Sequence, residues 1–189
     1  MSTATIEPVK TSLVTAEIYS GMSFDVPVEL VRGEIIEMTN PGARHGIVCS
    51  RIAFQLGKWA ESQQSWLICT NDSGVLIQHN PDTVRGPGVL VIHQEKLPGG
   101  VIPKGHLAVA PEVTIEVVSP SDRWDNILEK VSQFLHVGVG EVWVIDPEHR
   151  RLHLFKRDDE PTIFNEDQTF KSTLLTGFEI PVKELFSGL

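Results

Sequence analysis

Glu116 is an acid inside an apolar run. In Val113-Thr-Ile-Glu-Val-Val118, strand alternation puts Val113, Ile115 and Val117 on one face and Glu112, Thr114 and Glu116 on the other. Desolvating an unpaired carboxylate costs several kcal/mol, so Glu116 needs a cation, from a side chain or a metal ion. Lys130 lies between Leu128 and Phe134, where a helix returning from the strand brings its first turns back over the strand end. A carboxylate holding Mg²⁺, with an ammonium beside it to stabilise a phosphorane or position water, is a sensible core for phosphodiester chemistry. The plainer reading is a strand-end salt bridge for Glu116 and a solvated helix face for Lys130.

The elements that must position this pair can be read from periodicity. Ser119-Pro-Ser-Asp122 offers caps to a helix over Trp124 to Val137, which Gly138-Val-Gly140 stops. A strand over Glu141 to Asp146 follows, then a turn and an antiparallel neighbour over Arg151 to Phe155. Strand, crossover helix and strand form the central unit. Upstream, Val28 to Met38 reads as a hairpin turning at Arg32-Gly33, after a short helix within Ser12 to Tyr19. Ile47, Val48, Ile52, Leu56 and Trp59 recur at helical spacing between Arg44 and Gln63. Trp66 to Thr70 and Gly74 to His79, separated by Asn71-Asp72-Ser73-Gly74, predict a second hairpin. Val89 to Ile92 is another strand, and Gln94 to Ala110 is a long loop. The end of the chain predicts a strand near Phe170 to Leu175, then a strand and short helix over Phe178 to Phe186. These elements make one α/β domain with a mixed sheet spanning 1–189, with residues 1–14 expected to be flexible.

Composition narrows the function. The chain has 189 residues and a net charge of -9, which argues against avid, sequence-blind binding to phosphate backbones while leaving room for a local basic groove. The stretch from Met1 to Lys10 lacks an apolar signal core, and eighteen apolar residues never run together, so a cytoplasmic protein without membrane association is expected. Cys49 and Cys69 lack metal-site spacing and are expected to serve as small apolar packing groups.

A larger pattern joins these pieces. Glu29-Leu-Val-Arg-Gly-Glu-Ile-Ile-Glu-Met38, His45, Pro87 before a strand, Ala110-Pro-Glu-Val-Thr-Ile-Glu-Val-Val-Ser-Pro-Ser-Asp122, Lys130, and Gly138-Val-Gly-Glu-Val-Trp-Val-Ile-Asp-Pro147 together closely resemble the bacterial Uma-two family. The resemblance spans roughly residues 15 to 185. It implies an endonuclease of the PD-(D/E)XK type, with a restriction-endonuclease-like mixed β-sheet flanked by helices and a divalent metal, Mg²⁺ or Mn²⁺, bound at one end. DNA is the implied substrate and a homodimer the implied assembly. Carried over by position, the metal-binding glutamate falls on Glu116 and the lysine on Lys130. His45 matches the family's histidine near the start of its first long helix, where it hydrogen-bonds a phosphate or a site carboxylate or simply caps the helix. Glu34, ahead of Glu29 or Glu37, is a candidate for a further metal-binding acid.

One position departs from that pattern. The family's aspartate after the proline of the strand before the long loop falls on Gly88, which has no side chain. Glu112 is no simple replacement, since four residues of strand place it about 13 Å from Glu116 at roughly 3.3 Å per residue. Asp82 reaches the site only if its loop folds back. Trp143 and Asp146 read as a core aromatic and a turn carboxylate. Two functions therefore compete: a metal-dependent endonuclease weakened at Gly88, and a catalytically inactive nuclease fold that binds nucleic acid or regulates.

Overall fold

Strand β7 (Val113–Val117) is buried along its whole length, and it pairs in parallel with β8 (Glu141–Asp146) across the helix α3 (Trp124–Val137). The computed structural model describes residues 13–189; the expectations for Met1 to Ser12 lie outside the described residues. Around the β7–β8 pair runs a mixed sheet in the order β10-β9-β8-β7-β6-β3, formed with β3 (Trp66–Thr70), β6 (Val89–His93), β9 (Arg151–Phe155) and β10 (Thr162–Asn165). Parallel strands need a long crossover, and α3 supplies it. Its end is set by Gly138, whose φ of 110° forms the left-handed cap that glycine tolerates best.

The sheet is covered on both sides. Helix α2 (Ala43–Ala60) turns Val48, Ile52 and Leu56 onto Val89, Val113, Ile115, Val117 and Trp143, together with Phe170, Phe178 and Phe186 from the end of the chain. Helix α3 turns Ile127, Val131 and Phe134 onto Leu90, Ile92, Val142 and Val144. Alternation along β7 therefore sends its valines and isoleucine toward α2. Thr114 and Glu116 fall on the opposite face, toward α3. The expected mixed sheet flanked by helices is present.

A smaller sheet, ordered β2-β1-β5-β4, joins β1 (Val28–Val31), β2 (Glu34–Glu37), β4 (Val75–Gln78) and β5 (Thr83–Arg85). The first hairpin forms as expected, and Arg32 and Gly33 both have positive φ, 52° and 80°, as a tight hairpin turn of this kind requires. A short helix, α1 (Ala16–Ser20), precedes it, and a last ladder of β11 (Thr169–Lys171) and β12 (Glu179–Pro181) leads into a 3₁₀ turn over Val182–Phe186.

The predicted hairpin between β3 and β4 is not formed. Those two strands lie in different sheets: β3 pairs with β6, and β4 pairs with β5. Together they make one bent antiparallel ladder, flanked at the bend by the pairs Thr70↔Val89 and Val75↔Arg85. Asn71 and Asp72, with φ of 63° and 54°, turn the corner on one arm, and Gly86-Pro87-Gly88 turns it on the other. Turn-forming residues mark a change of direction, whether it reverses a strand or carries it into a second sheet. The cap expected for α3 also differs: its N-cap is Arg123 without a side-chain bond, and Asp122 instead accepts a 2.7 Å hydrogen bond from the Ser119 backbone N–H.

Candidate active site

A cleft of about 130 Å³ opens where β7 ends and α3 begins, lined among others by Glu29, His45, Asp72, Glu116, Asp122 and Lys130. Its charged centre comes from three elements. Glu116 stands near the end of β7 and is 6% exposed. Lys130, two turns into α3, brings its ammonium over the same strand end. Glu29 projects from β1 of the smaller sheet and is also buried.

The three side chains are unequally satisfied. Lys130 Nζ lies 2.9 Å from Glu29 Oε1 and 3.6 Å from Glu116 Oε1. Glu29 further accepts from Arg85 Nη1 at 2.8 Å and from the Gly86 backbone N–H at 3.0 Å. Arg85, itself buried, is held by Gln133 through its Nε at 2.8 Å. Glu116 has no such support: its Oε1 is buried without a hydrogen-bond partner, since 3.6 Å to the ammonium exceeds hydrogen-bond length.

Electrostatics follow from that geometry. Burial works to raise the Glu29 pKa, but Lys130 and Arg85 overcome it and hold the carboxyl below its usual range. Burial pushes Glu116 up to about 7, with the nearby Glu29 and Asp72 charges adding to the rise and Lys130 opposing it. The acids differ because burial dominates at Glu116, whereas the shared cation leans toward Glu29 and Arg85 adds a second one there. Burial acts to lower the Lys130 pKa, yet the Glu116 and Glu29 carboxylates raise it, so the amine stays charged. His45, in the first turn of α2, is lowered by burial against the pull of Asp72 and Asp122, so it is largely neutral at pH 7.

The sequence candidates divide plainly. Glu116, Lys130 and His45 meet at one cleft. Glu34 does not: it is exposed on β2, opposite Val31, and does not line the cleft. Glu29, ranked below it from sequence, takes the place at the centre. The signal lay in alternation, because Leu30 faces the small apolar cluster with Ala16, Leu76 and Val84, which turns Glu29 the other way. Glu112 accepts from the His93 backbone N–H at 2.9 Å at the far end of β7, and Asp82 accepts from the Ala16 N–H at 2.8 Å, away from the cleft. Asp146 is the expected turn carboxylate, receiving the Glu148 and His149 N–H groups at 3.0 and 3.1 Å. Trp143 is fully buried in the core and donates to Glu141 at 2.9 Å. Asp72 and Arg85 also belong to this centre, and no local sequence pattern marks them.

Gly88 stands beside this centre. A Cβ built on it would lie 3.2 Å from Cys49 Sγ and 3.6 Å from the carbonyl oxygen of Ile115, the residue before Glu116. Cys49 is half-buried against the core, as expected of a packing group, but it also borders the charged centre: burial first, then the Asp72 and Glu116 charges, pushes its thiol up to about 12. Its Sγ is 3.7 Å from His45 Nδ1.

Among the described residues, no cluster of three or more His, Cys, Asp or Glu side chains is arranged to hold a metal ion. A hard divalent cation needs less, since it commonly keeps several waters and takes one or two carboxylates plus substrate phosphate. The orphaned, buried Oε1 of Glu116 meets that lower requirement, so the residues fit a weakly held ion.

Comparison with known proteins agrees with this architecture. The family described as "Uma2: Putative restriction endonuclease" matches residues 18–183. A crystal structure described as a "putative nuclease belonging to DUF820 from Anabaena variabilis" superposes with a TM-score of 0.78 at 19% sequence identity, covering 92% of this chain and 98% of that one. The fold is thus that of a nuclease-like protein. No curated protein matches the chain.

Proposed function

The chain belongs to the Uma2 family of restriction-endonuclease-like proteins, and from that premise we propose that its cleft hydrolyses DNA phosphodiester bonds with the aid of a divalent metal, Mg²⁺ or Mn²⁺. The observation that carries this reading is the buried Glu116 beside a charged Lys130, at the rim of a sheet whose fold is nuclease-like. Glu116 would hold the metal, with water and a substrate phosphate completing its shell. When bound, the metal would supply Lewis-acid stabilisation of the phosphoryl oxygens and lower the pKa of a water molecule.

The chain's own residues do the rest. Lys130 offers a fixed positive charge to the pentavalent phosphorane and orients the attacking water, while Glu29, itself held by Arg85, keeps its side chain in place. His45, half-buried at the cleft, would hydrogen-bond a phosphate oxygen or a site carboxylate. In this reading the enzyme works in the cytoplasm as a homodimer. Among the described residues no helix is long and apolar enough to cross a membrane.

The test is direct: purified protein is incubated with single- and double-stranded DNA and Mg²⁺ or Mn²⁺, beside Glu116→Ala. Metal-dependent cleavage that disappears in the variant supports the assignment. Cleavage retained by Glu116→Ala, or absent from both, overturns it.

A second reading is favoured by one observation, the missing carboxylate at Gly88 with the Cys49 thiol beside the space it would need. It makes the protein a nucleic-acid-binding or regulatory module that no longer cleaves. Nucleic-acid binding without hydrolysis, at any metal concentration, distinguishes it.

A further inference from the structure

We propose that Asp72 is the second carboxylate of the cation site, reaching across the bent ladder from the arm opposite Gly88. The inference rests on the metal-dependent reading above and extends it to a residue that stands outside the family's motif.

The geometry is that of two adjacent arms. Between the flanking pairs Thr70↔Val89 and Val75↔Arg85, the corner at Asn71–Gly74 faces the corner at Gly86–Gly88. The approach is close enough to require glycine: a Cβ on Gly86 would lie 2.5 Å from the Asp72 carbonyl oxygen and 2.9 Å from its Cβ. Gly86 in turn is pinned by its N–H to Glu29 Oε1 at 3.0 Å, so the Asp72 corner packs against the charged centre itself. Asp72 lines the same cleft as Glu116, and the charges of Lys130, His45 and Glu29 act on it through space.

Other acids in the cleft are already engaged. Glu29 is saturated by Lys130, Arg85 and Gly86, and Asp122 Oδ2 receives the Ser119 N–H at 2.7 Å. The independent observation is Glu116, whose Oε1 is buried without a hydrogen-bond partner, the Lys130 ammonium standing off at 3.6 Å, and whose residue lines the cleft. An ion there would satisfy that oxygen. Two carboxylates and waters are an ordinary shell for a hard divalent ion.

Binding of Mn²⁺ to metal-free protein, followed by electron paramagnetic resonance of the free ion, tests the assignment without relying on cleavage. Asp72→Asn suits the backbone, since asparagine tolerates the positive φ of 54° there, and Asp72→Gly is a second route with no side chain. Both variants and Glu116→Gln are expected to bind Mn²⁺ about tenfold or more weakly than the parent, with Asp122→Asn within about threefold of it. Loss in Glu116→Gln with parental binding in both Asp72 variants overturns the role of Asp72 and leaves the metal-dependent reading standing. Loss in Asp122→Asn in place of Asp72→Asn moves the ligand to Asp122 and overturns the proposal. If the parent protein takes up no Mn²⁺ at all, the proposal and the reading beneath it both fall.

Discussion

The Lys130 ammonium is 2.9 Å from Glu29, which places the site's central cation closer to the acid of the smaller sheet than to the acid of β7. Glu29 is thereby charged and anchored, while Glu116 is left protonated over part of the neutral range.

Glu116 therefore opposes folding as pH rises. Its folded pKa of about 7 exceeds the ordinary 4.5 of a glutamate, so the native state binds the extra proton. The stability associated with that proton is complete below 4.5 and lost as pH climbs through about 7, a difference of at most about 3 kcal/mol. In EDTA, Glu116→Gln is expected to melt roughly 5 °C or more above the parent at about pH 8 and to converge with it near pH 5. Thermal unfolding curves that stay parallel across this range would contradict the burial argument.

Lys130→Met should act in the opposite sense. It leaves Glu116 buried without a cation and Glu29 with Arg85 as its remaining one, a loss of about 3–5 kcal/mol by denaturant titration near pH 8. The loss should shrink near pH 5, where Glu116 takes up its proton. A variant as stable as the parent at both pH values would mean that the cation is dispensable to the cleft.

Metal binding should displace the Glu116 proton. Calorimetric titration with Mn²⁺ in buffers of different ionisation enthalpy is expected to report release of roughly one proton near pH 6, fading above about pH 8. Release that does not change with pH would place the ion away from Glu116.

Restoring an acid at position 88 tests what Cys49 costs the site. The added Cβ would sit 3.2 Å from Cys49 Sγ, tight enough that the thiol must yield. Gly88→Asp alone is expected to destabilise by about 1–3 kcal/mol, and Gly88→Asp with Cys49→Ala to recover most of that loss and bind Mn²⁺ more tightly than the parent. Parental stability in the single variant, or no gain of affinity in the double one, would refute this account of position 88.

Much of the central unit is legible in the chain. The strand of Glu116, the helix of Lys130 and the strand after Gly138 announce themselves because each has a buried face whose period survives in the residue order. The bend does not. Asn71-Asp72-Ser73-Gly74 carries the chemistry of a turn, and nothing local says that the strand beyond it joins another sheet. Asp72 is hidden for that reason, since its neighbour Gly86 is adjacent only after both arms bend together. Glu29 and Glu34 are hard to rank because they share one hairpin, and only the cover laid over that hairpin separates a buried acid from a solvated one.

The triple attachment of Glu29, to Lys130, Arg85 and the Gly86 backbone, ties strand, helix and corner together without calling on Glu116. The anchoring carboxylate and the acid proposed to hold the metal are thus different residues. A chain built this way can surrender or relocate the acid on β7 and keep its cleft intact.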